Sequence, residues 1–352
     1  MTNLLWKKFP ILNDGFICLS DVMGNDAKIA SRARTSYGLH LREERINQKL
    51  TKHIQYPNEI FVKEHRYSDQ DKSWICFMSN GDIKKVTVTD HLNLVKEIDK
   101  EDATLIRRLM RDRHTSPFEF CQVEFLVRAP IYVFRQWHRH RTASINEYSG
   151  RYKEMIDSME TTPPGKWRLQ SGKNKQGSDG YLTEWPEGYD ELTKASFTSP
   201  GGELSAMEEI LHEQATKVYQ QRLKFGVAKE QARKDLPVSN YSEMYWSCDL
   251  HNLLHFLTLR MDSHAQEEIR LYANQMGEIV KELFPVTWQA FEDYRLNAMT
   301  LTALDTQALK RINGLLPSER MEEFYDSILK QVFNNKTERE ECVAKLKRLG
   351  IL

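Results

Sequence analysis

The sequence is poor in cysteine, has no charge of one sign in excess, and lacks long hydrophobic runs. Its five cysteines are Cys18, Cys76, Cys121, Cys248 and Cys342. Their number is odd, their spacing wide, and no Cys-x-x-Cys occurs. A disulfide framework and a cysteine zinc site are disfavoured, and reduced, buried thiols are expected. Fifty Lys plus Arg balance fifty Asp plus Glu. A nucleic-acid binder generally carries a basic excess, so any basic surface must be local. Apolar stretches such as residues 253–259 fall far short of the ~20 residues of a membrane span. The N-terminus shows no apolar region of signal-peptide length. These absences predict a soluble, cytoplasmic protein. Internal repeats and low-complexity tracts are also missing.

What is present reads as a large folded chain. With 352 residues, 40% of them hydrophobic, length alone suggests two or three domains of ~150 residues, or one domain with insertions. Residues 15–23 look like a first strand, punctuated by Gly24-Asn25-Asp26, where Asn25 or Asp26 can cap a helix through Ala30 and Ala33. Residues 42–54 and about 98–113 read as amphipathic helices. Between them, 73–79 and 82–90 are β-rich runs around Asn80-Gly81. That dipeptide predicts an inserted β-hairpin closed by a type I′ turn, with both central residues at positive φ. Pro117 ends the preceding helix. Residues 121–128 then alternate apolar and polar, the pattern of a half-buried strand. Pro130 is placed to open a short helix toward Gln136.

Residues 156–203 are polar and read as loop. Helical periodicity returns over 203–224, and one long helix is expected from Asp249 to Phe284, stopped by Pro285. Thr337 to Glu340 reads as a capping box before a last helix closed by Lys347, Arg348 and Gly350. Residues 300–352 look like an appended helical element.

The densest polar segment is residues 135–151, RQWHRHRTASINEYSGR. Three readings compete. It could be a solvated charged face, but Glu147 is its only carboxylate, and clustered guanidiniums repel unless an anion sits among them. It could be a nucleic-acid patch with Trp137 and Tyr148 stacking on bases, against which stands the zero net charge. It could be a pocket for phosphorylated small molecules, since arginine's planar fork matches phosphate oxygens. Elsewhere, His251 and His255 at i and i+4 have zinc-protease spacing, but Asn252 stands where the glutamate of His-Glu-x-x-His belongs. A metal-dependent nucleotide hydrolase built on these histidines with Asp249 or Asp262 is the rival enzyme reading. Cys248 as a nucleophile finds no support outside an exposed electropositive setting, and Ser149 has no evident base.

Arg139-His140-Arg141 followed by Ser149 reproduces the signature of the flavin-dependent thymidylate synthases, the ThyX family. RQWHRHRTASINEYSGRY resembles the family pattern over its length, as do GFICLSDVMGND, HTSPFEF and LRMDSHAQEEI, in the same order. The resemblance leaves out the insertion near 55–95, part of the loop near 156–203 and the tail after about 300. It implies an α+β fold, an antiparallel sheet with long helices, in a catalytic domain spanning 1–299. It implies dTMP formation from dUMP, with methylenetetrahydrofolate giving the carbon, reduced FAD the hydride, and NADPH reducing the flavin. It also implies a homotetramer with shared active sites, and no nucleic-acid or membrane partner.

Carried over by position, Arg139, His140 and Arg141 should line FAD, with Ser116, Glu147, Asp249, Leu250, His251 and His255; His114 should lie near flavin and folate. Gln136, Arg139, Glu147, Ser149, Gly150, Arg151, Arg233 and Arg260 should hold dUMP, and Arg260 should polarise the uracil. This chain departs from some members in carrying Asp249, His251 and His255 where they have Asn, Arg and Asn. On a continuous helix, Arg260 would lie about 140° around from His255 with His264 stacked beneath it, so that one helix would serve two pockets.

Overall fold

The computed structural model describes residues 4–35, 42–55, 60–172, 177–313, 321–333 and 336–349. The chain divides into two compact units, Met1–Phe291 and Glu292–Leu352. The first unit opens with β1 (Lys8–Ile11), β2 (Gly15–Met23) and α1 (Asp26–Ala33), and Asn25 caps α1 by accepting from Lys28 N at 2.9 Å. Next come α2 (Arg42–Ile54), β3 (Val62–Ser68), β4 (Ser73–Met78), β5 (Ile83–Thr87) and α3 (Val88–Arg111). After a 3-10 turn at Phe118–Phe120 follow β6 (Gln122–Pro130), α4 (Ile131–Trp137) and β7 (Ser144–Glu147). The middle of the unit holds β8 (Arg168–Gln170), β9 (Ser178–Tyr181), α5 (Glu191–Ser196), α6 (Pro200–Lys224) and α7 (Lys229–Ala232). It ends with β10 (Tyr241–Asp249), α8 (Leu250–Arg260), α9 (Glu267–Leu283) and α10 (Pro285–Phe291).

The main sheet runs in the order β1-β2-β6-β10-β7, and every neighbouring pair is antiparallel. β6 is central. Its Val123, Phe125, Val127 and Ala129 are buried while Gln122, Glu124, Leu126 and Arg128 are half-buried, the alternation expected of it. Phe125 lies between Leu19 and Trp246, and Val127 between Ile17 and Met244, so apolar ladders cross the sheet. On these ladders sits an aromatic cluster from four elements. Trp137 of α4 lies 5.7 Å from Trp246 of β10, 4.9 Å from Phe256 of α8 and 6.0 Å from Tyr272 of α9, between ring centroids. All four are at most 1% exposed. Burying each ring stabilises the fold by about 3 kcal/mol.

Four expectations are corrected. The expected hairpin is there as β4–β5, but β3 adds a third strand, so the insertion is a three-stranded antiparallel sheet, β3-β4-β5. With α2 and the first half of α3 it encloses its own core of Ile46, Leu50, Val62, Cys76, Met78, Val86 and Ile98. The β4–β5 turn is not type I′. Gly81 has φ +90°, Asn80 is not at positive φ, and Gly81 N donates to Met78 O at 3.1 Å. This is a three-residue loop whose last residue is the left-handed one. The 156–203 region holds the β8–β9 hairpin, α5 and the start of α6.

The long helix is broken. α8 stops at Arg260, and Asp262 Oδ1 accepts from His264 N and His264 Nδ1, both at 2.8 Å. A side chain that offers backbone amides a local acceptor competes with the helix there. His264 is therefore committed to Asp262 in the break and does not stack beneath Arg260. The five cysteines are all buried and unpaired. No helix among the described residues is long and apolar enough to cross a membrane.

The second unit holds α11 (Ala303–Asn313), α12 (Met321–Val332) and α13 (Lys336–Arg348) around Ala308, Ile312, Ile328, Leu329, Phe333 and Leu346. Thr337, expected to cap the last helix, lies inside it, and Gly350 lies outside the described residues. Asp305 caps α11 with Thr302 and receives Lys345 at 2.6 Å; these contacts hold its carboxyl down at about 2 against the cost of burial.

One long-range tether closes the first unit. Asp26 accepts from Val286 N at 2.9 Å and from Thr287 N and Oγ1 at 3.0 and 2.6 Å, capping α10 across 260 residues of sequence. Burial raises its pKa despite these bonds. Asp26→Ala is expected to lower stability by about 2 kcal/mol, read as a lower urea midpoint; Asp26→Asn should lose less.

Candidate functional site

The site begins with Trp137. Its burial ends α4 against the aromatic cluster, and His138 N and His140 N turn back onto Phe134 O and Trp137 O at 2.9 and 3.0 Å. The basic strip thus leaves the core at a fixed point. Arg139, His140 and Arg141 enter a cleft of about 300 Å³ whose opposite wall is α8, through Asn252, His255 and Arg260.

His140 and Arg260 are joined. Arg260 Nε donates to His140 Nε2 at 2.9 Å, and Arg260 Nη2 donates to Gln136 O at 3.4 Å. A histidine nitrogen that accepts from a guanidinium carries a lone pair, so the ring is neutral with its proton on Nδ1. Burial, then the positive charge of Arg260, then His255 push the His140 pKa down to about 4. Burial lowers the pKa of Arg260 as well. Gln136 Nε2 donates to Gln266 Oε1, tying the end of α4 to the α8–α9 break. Among the described residues, the guanidiniums of Arg139, Arg141 and Arg233 meet no carboxylate. Concentrated positive charge without a counter-charge suits a bound anion.

The remaining predicted residues fall into other places. Ser149, Gly150, Arg151 and Arg233 form a second group, and none of them lines the Arg260 cleft. Ser149 Oγ accepts from Arg151 N at 3.3 Å. Arg151 Nε donates to Glu230 Oε2 at 2.9 Å in an exposed pair. A Cβ at Gly150 would run into Met155 Sδ and come within 3.0 Å of Arg233 Cδ, so a larger residue here would make both side chains move. Glu147, on β7, accepts from Ser242 Oγ at 2.8 Å and faces His138 at 3.8 Å.

Asp249 caps α8, accepting from Asn252 N and Nδ2 at 2.9 and 2.7 Å. Leu250 is fully buried and its N–H donates to Cys121 O at 2.8 Å, so neither its side chain nor its N–H is free. Ser116 and His114 are exposed in the turn before the 3-10 helix.

His251 does not line the cleft, whereas His255 does, its ring 6.3 Å from that of His140. His255 and Arg260 therefore border one cleft of one chain. The helix ends at Arg260, and its long side chain reaches back across α4 to His140, so the angle between Cβ directions does not separate the two residues. Among the described residues no three His, Cys, Asp or Glu side chains cluster as metal ligands, and Cys248 is raised by burial to a pKa far above that of a reactive thiol. Sequence reasoning passed over Thr142, Asn252, Leu259 and Gln266. Gln266 stood in the LRMDSHAQEEI block, but nothing in one chain's sequence pairs it with Gln136.

A family model described as thymidylate synthase complementing protein matches residues 18–286. The flavin-dependent thymidylate synthase of Thermus thermophilus is 37% identical over 319 residues, covering 91% of this chain and 90% of its own. The protein of the same name from Gluconobacter oxydans is 34% identical, covering 88% and 81%. Among solved structures, the UMP/dUMP methylase PolB from Streptomyces cacaoi, bound with 5-Br dUMP, matches with a TM-score of 0.54 and 28% identity, over 82% of this chain and 99% of that one.

The depressed His140 pKa has a stability consequence. The folded ring refuses a proton that the unfolded ring takes at its ordinary 6.5. Its contribution is complete above that pH and drains away as pH falls from 6.5 to about 4. His140→Gln is expected to flatten the loss of stability across this window. The check is the difference in urea midpoint between pH 7 and pH 5, which should shrink in the variant.

Proposed function

The chain belongs to the thymidylate synthase complementing protein family, and from that premise we propose that it methylates dUMP to dTMP as a flavin-dependent methyltransferase. The observation that carries the proposal is the cleft in which unpaired Arg139 and Arg141 stand beside an arginine, Arg260, held by a neutral histidine. The donor set fits a phosphorylated flavin: guanidiniums without carboxylate partners match a pyrophosphate, and a neutral imidazole Nδ1–H offers a donor without added charge. FAD is assigned to Arg139, His140 and Arg141, with Ser116, Glu147, Asp249, Leu250, His251 and His255. When bound, the flavin supplies the hydride, with NADPH as its reductant and methylenetetrahydrofolate as the carbon donor.

The chain's own residues set the charge around the pyrimidine. Arg260 stands beside the uracil edge, where its cation stabilises the negative charge that the ring gains as C5 becomes nucleophilic. It does so without giving up its own proton. His140 takes the Nε–H of the guanidinium and Gln136 O one Nη2–H, so Nη1 and the other Nη2–H are left for the ligand. Gln136, fixed by Gln266, borders the same nucleotide. Arg139 and Glu147 serve both ligands. Ser149, Gly150, Arg151 and Arg233 hold the dUMP phosphate, where Gly150 allows close backbone approach and the Arg151–Glu230 pair opens to the anion.

A cleft of about 300 Å³ is at the small end for one drug-sized ligand, far below what FAD and dUMP need together. Further walls come from other copies of the chain, so a homotetramer is assigned in which the phosphate group of one copy completes the Arg260 cleft of another.

The decisive experiment is tritium release from dUMP labelled at C5, with and without NADPH and methylenetetrahydrofolate, on protein that purifies yellow. Arg260→Ala is expected to stay yellow and lose about 10²–10³-fold in dTMP formation; normal turnover would remove Arg260 from the reaction. Arg233→Ala is expected to raise the Kd for dUMP about tenfold or more with flavin content unchanged, and an unaltered dUMP titration would refute the phosphate assignment.

A further inference from the structure

The β8–β9 hairpin is rooted on α6 and reaches across to α9. At its root, Trp167 Nε1 donates to the buried Ser205 Oγ of α6 at 3.1 Å, and Leu182 N donates to Trp167 O at 2.8 Å. Its strands pair with Arg168 opposite Tyr181 and Gln170 opposite Ser178, and Ser171 Oγ donates to Asp179 Oδ2 at 2.6 Å. None of these bonds uses the Arg168 side chain.

That side chain crosses instead to the first turn of α9. Arg168 Nη1 donates to Glu267 Oε2 at 2.9 Å, and Nη2 donates to Glu268 Oε1 and Oε2 at 2.7 and 3.0 Å. The three side chains are half-buried, 19–26% exposed. A charge-assisted fork of this kind is stronger than an exposed pair. Burial works against the guanidinium's charge, but the two carboxylates outweigh it and raise the Arg168 pKa. Hairpin and helix break wall a cavity of about 800 Å³, with Arg168 and Tyr181 on one side and Ser263, Gln266 and Arg270 on the other. Arg168 ties the two walls together.

The start of α9 depends on that tie. Its N-cap residue, Gln266, makes no side-chain cap bond; Gln266 Oε1 accepts from Gln136 Nε2 instead. The first turn therefore lacks the acceptor that Ser, Thr, Asp or Asn would give it. The helix dipole favours Glu267 and Glu268 at this end, but neighbouring carboxylates repel each other. Arg168 cancels the repulsion and clamps an uncapped turn. Without it the turn frays, Gln266 is released, and the Gln136 amide is free to rotate.

We propose that Arg168 is a positioning residue for dUMP: by holding Glu267 and Glu268 it fixes Gln266 at the head of α9, and Gln266 fixes the side-chain amide of Gln136. With one Nε2–H given to Gln266, Gln136 keeps Oε1 and its other Nε2–H for the nucleotide. The inference rests on the assignment of Gln136 to dUMP and extends it to a residue on a separate hairpin that acts through others.

The test is a double-mutant cycle on flavin-loaded enzyme, read as the Kd for dUMP. Arg168→Ala and Gln266→Ala are each expected to raise it about tenfold, with flavin content and helical circular dichroism unchanged. The double variant should bind no worse than the weaker single, because both changes break one chain of contacts. Arg168→Lys keeps the charge but not the fork and should recover part of the loss. A native Kd in Arg168→Ala, or losses that multiply to about a hundredfold in the double variant, overturns the proposal. Loss of flavin together with dUMP overturns it too, since that marks a general structural role. Should Arg168→Ala fail to fold, Glu268→Gln takes its place in the cycle with an expected rise of about threefold, and a native Kd or independent losses again overturn the proposal. Native protein that binds no dUMP refutes the dUMP assignment and this inference with it; native binding with an inert Arg168 refutes the inference alone.

Discussion

The burial of Trp137 is the constraint on which the site depends. A short helix opened by Pro130 delivers it into the space between Trp246, Phe256 and Tyr272. The next residues must then leave the core at the mouth of the cleft, and the basic strip goes where the tryptophan sends it. Phe256 lies in the same cluster four residues before Arg260, with its ring 4.7 Å from that of His140. One hydrophobic contact set therefore fixes both the strip and the arginine that meets it. The polar link from Arg260 to His140 is then made between groups already held in place, so little conformational freedom is lost in forming it.

Electrostatics turns that geometry into a function. A neutral His140 lets three arginines stand around one cleft without a fourth positive charge among them, since a protonated ring could not accept from Arg260. Burial alone would favour neutrality; the guanidinium enforces it. The mutual repulsion of Arg139, Arg141 and Arg260 is a cost the free protein bears, and an anion relieves it on binding. Unbalanced positive charge of this kind favours an anion over a neutral ligand.

Much of this was legible in the sequence, for definable reasons. The first strand, the Asn25 cap and the alternation of β6 rest on local pattern, and local pattern decided them. The charge cluster was legible because its lack of carboxylates is visible in one dimension, and among the described residues Arg139 and Arg141 meet no carboxylate. The helix break at Met261 was written in Asp262 and Ser263 but outvoted by the apolar stripe on either side. The third strand of the insertion was missed because β3, VKEHRYS, carries mostly charged and polar residues; its strand state comes from pairing with β4, not from its own apolar content. Likewise His255 and Arg260 were separated by helical geometry, which describes where Cβ atoms point and not how far a guanidinium reaches.

The structure also sorts the family-matched residues by how freely each can turn to a ligand. Among the described residues, the guanidiniums of Arg139, Arg141 and Arg233 have no carboxylate to give up. Arg151 gives up only an exposed pair with Glu230, and such pairs contribute about 0–1 kcal/mol. Glu147 exchanges a hydroxyl bond from Ser242. Asp249 is committed, since it holds the first turn of α8, and a loss of roughly 1 kcal/mol follows if that cap is withdrawn. Leu250 is committed through its N–H and its buried side chain. Of the family-matched side chains at this end of α8, His251 and His255 hold no cap, and the ring of His255 stands 6.3 Å from that of His140. Where this chain has histidines in place of Asn and Arg, the fixed positive charge at the cleft stays with Arg260 and with the strip that Trp137 anchors.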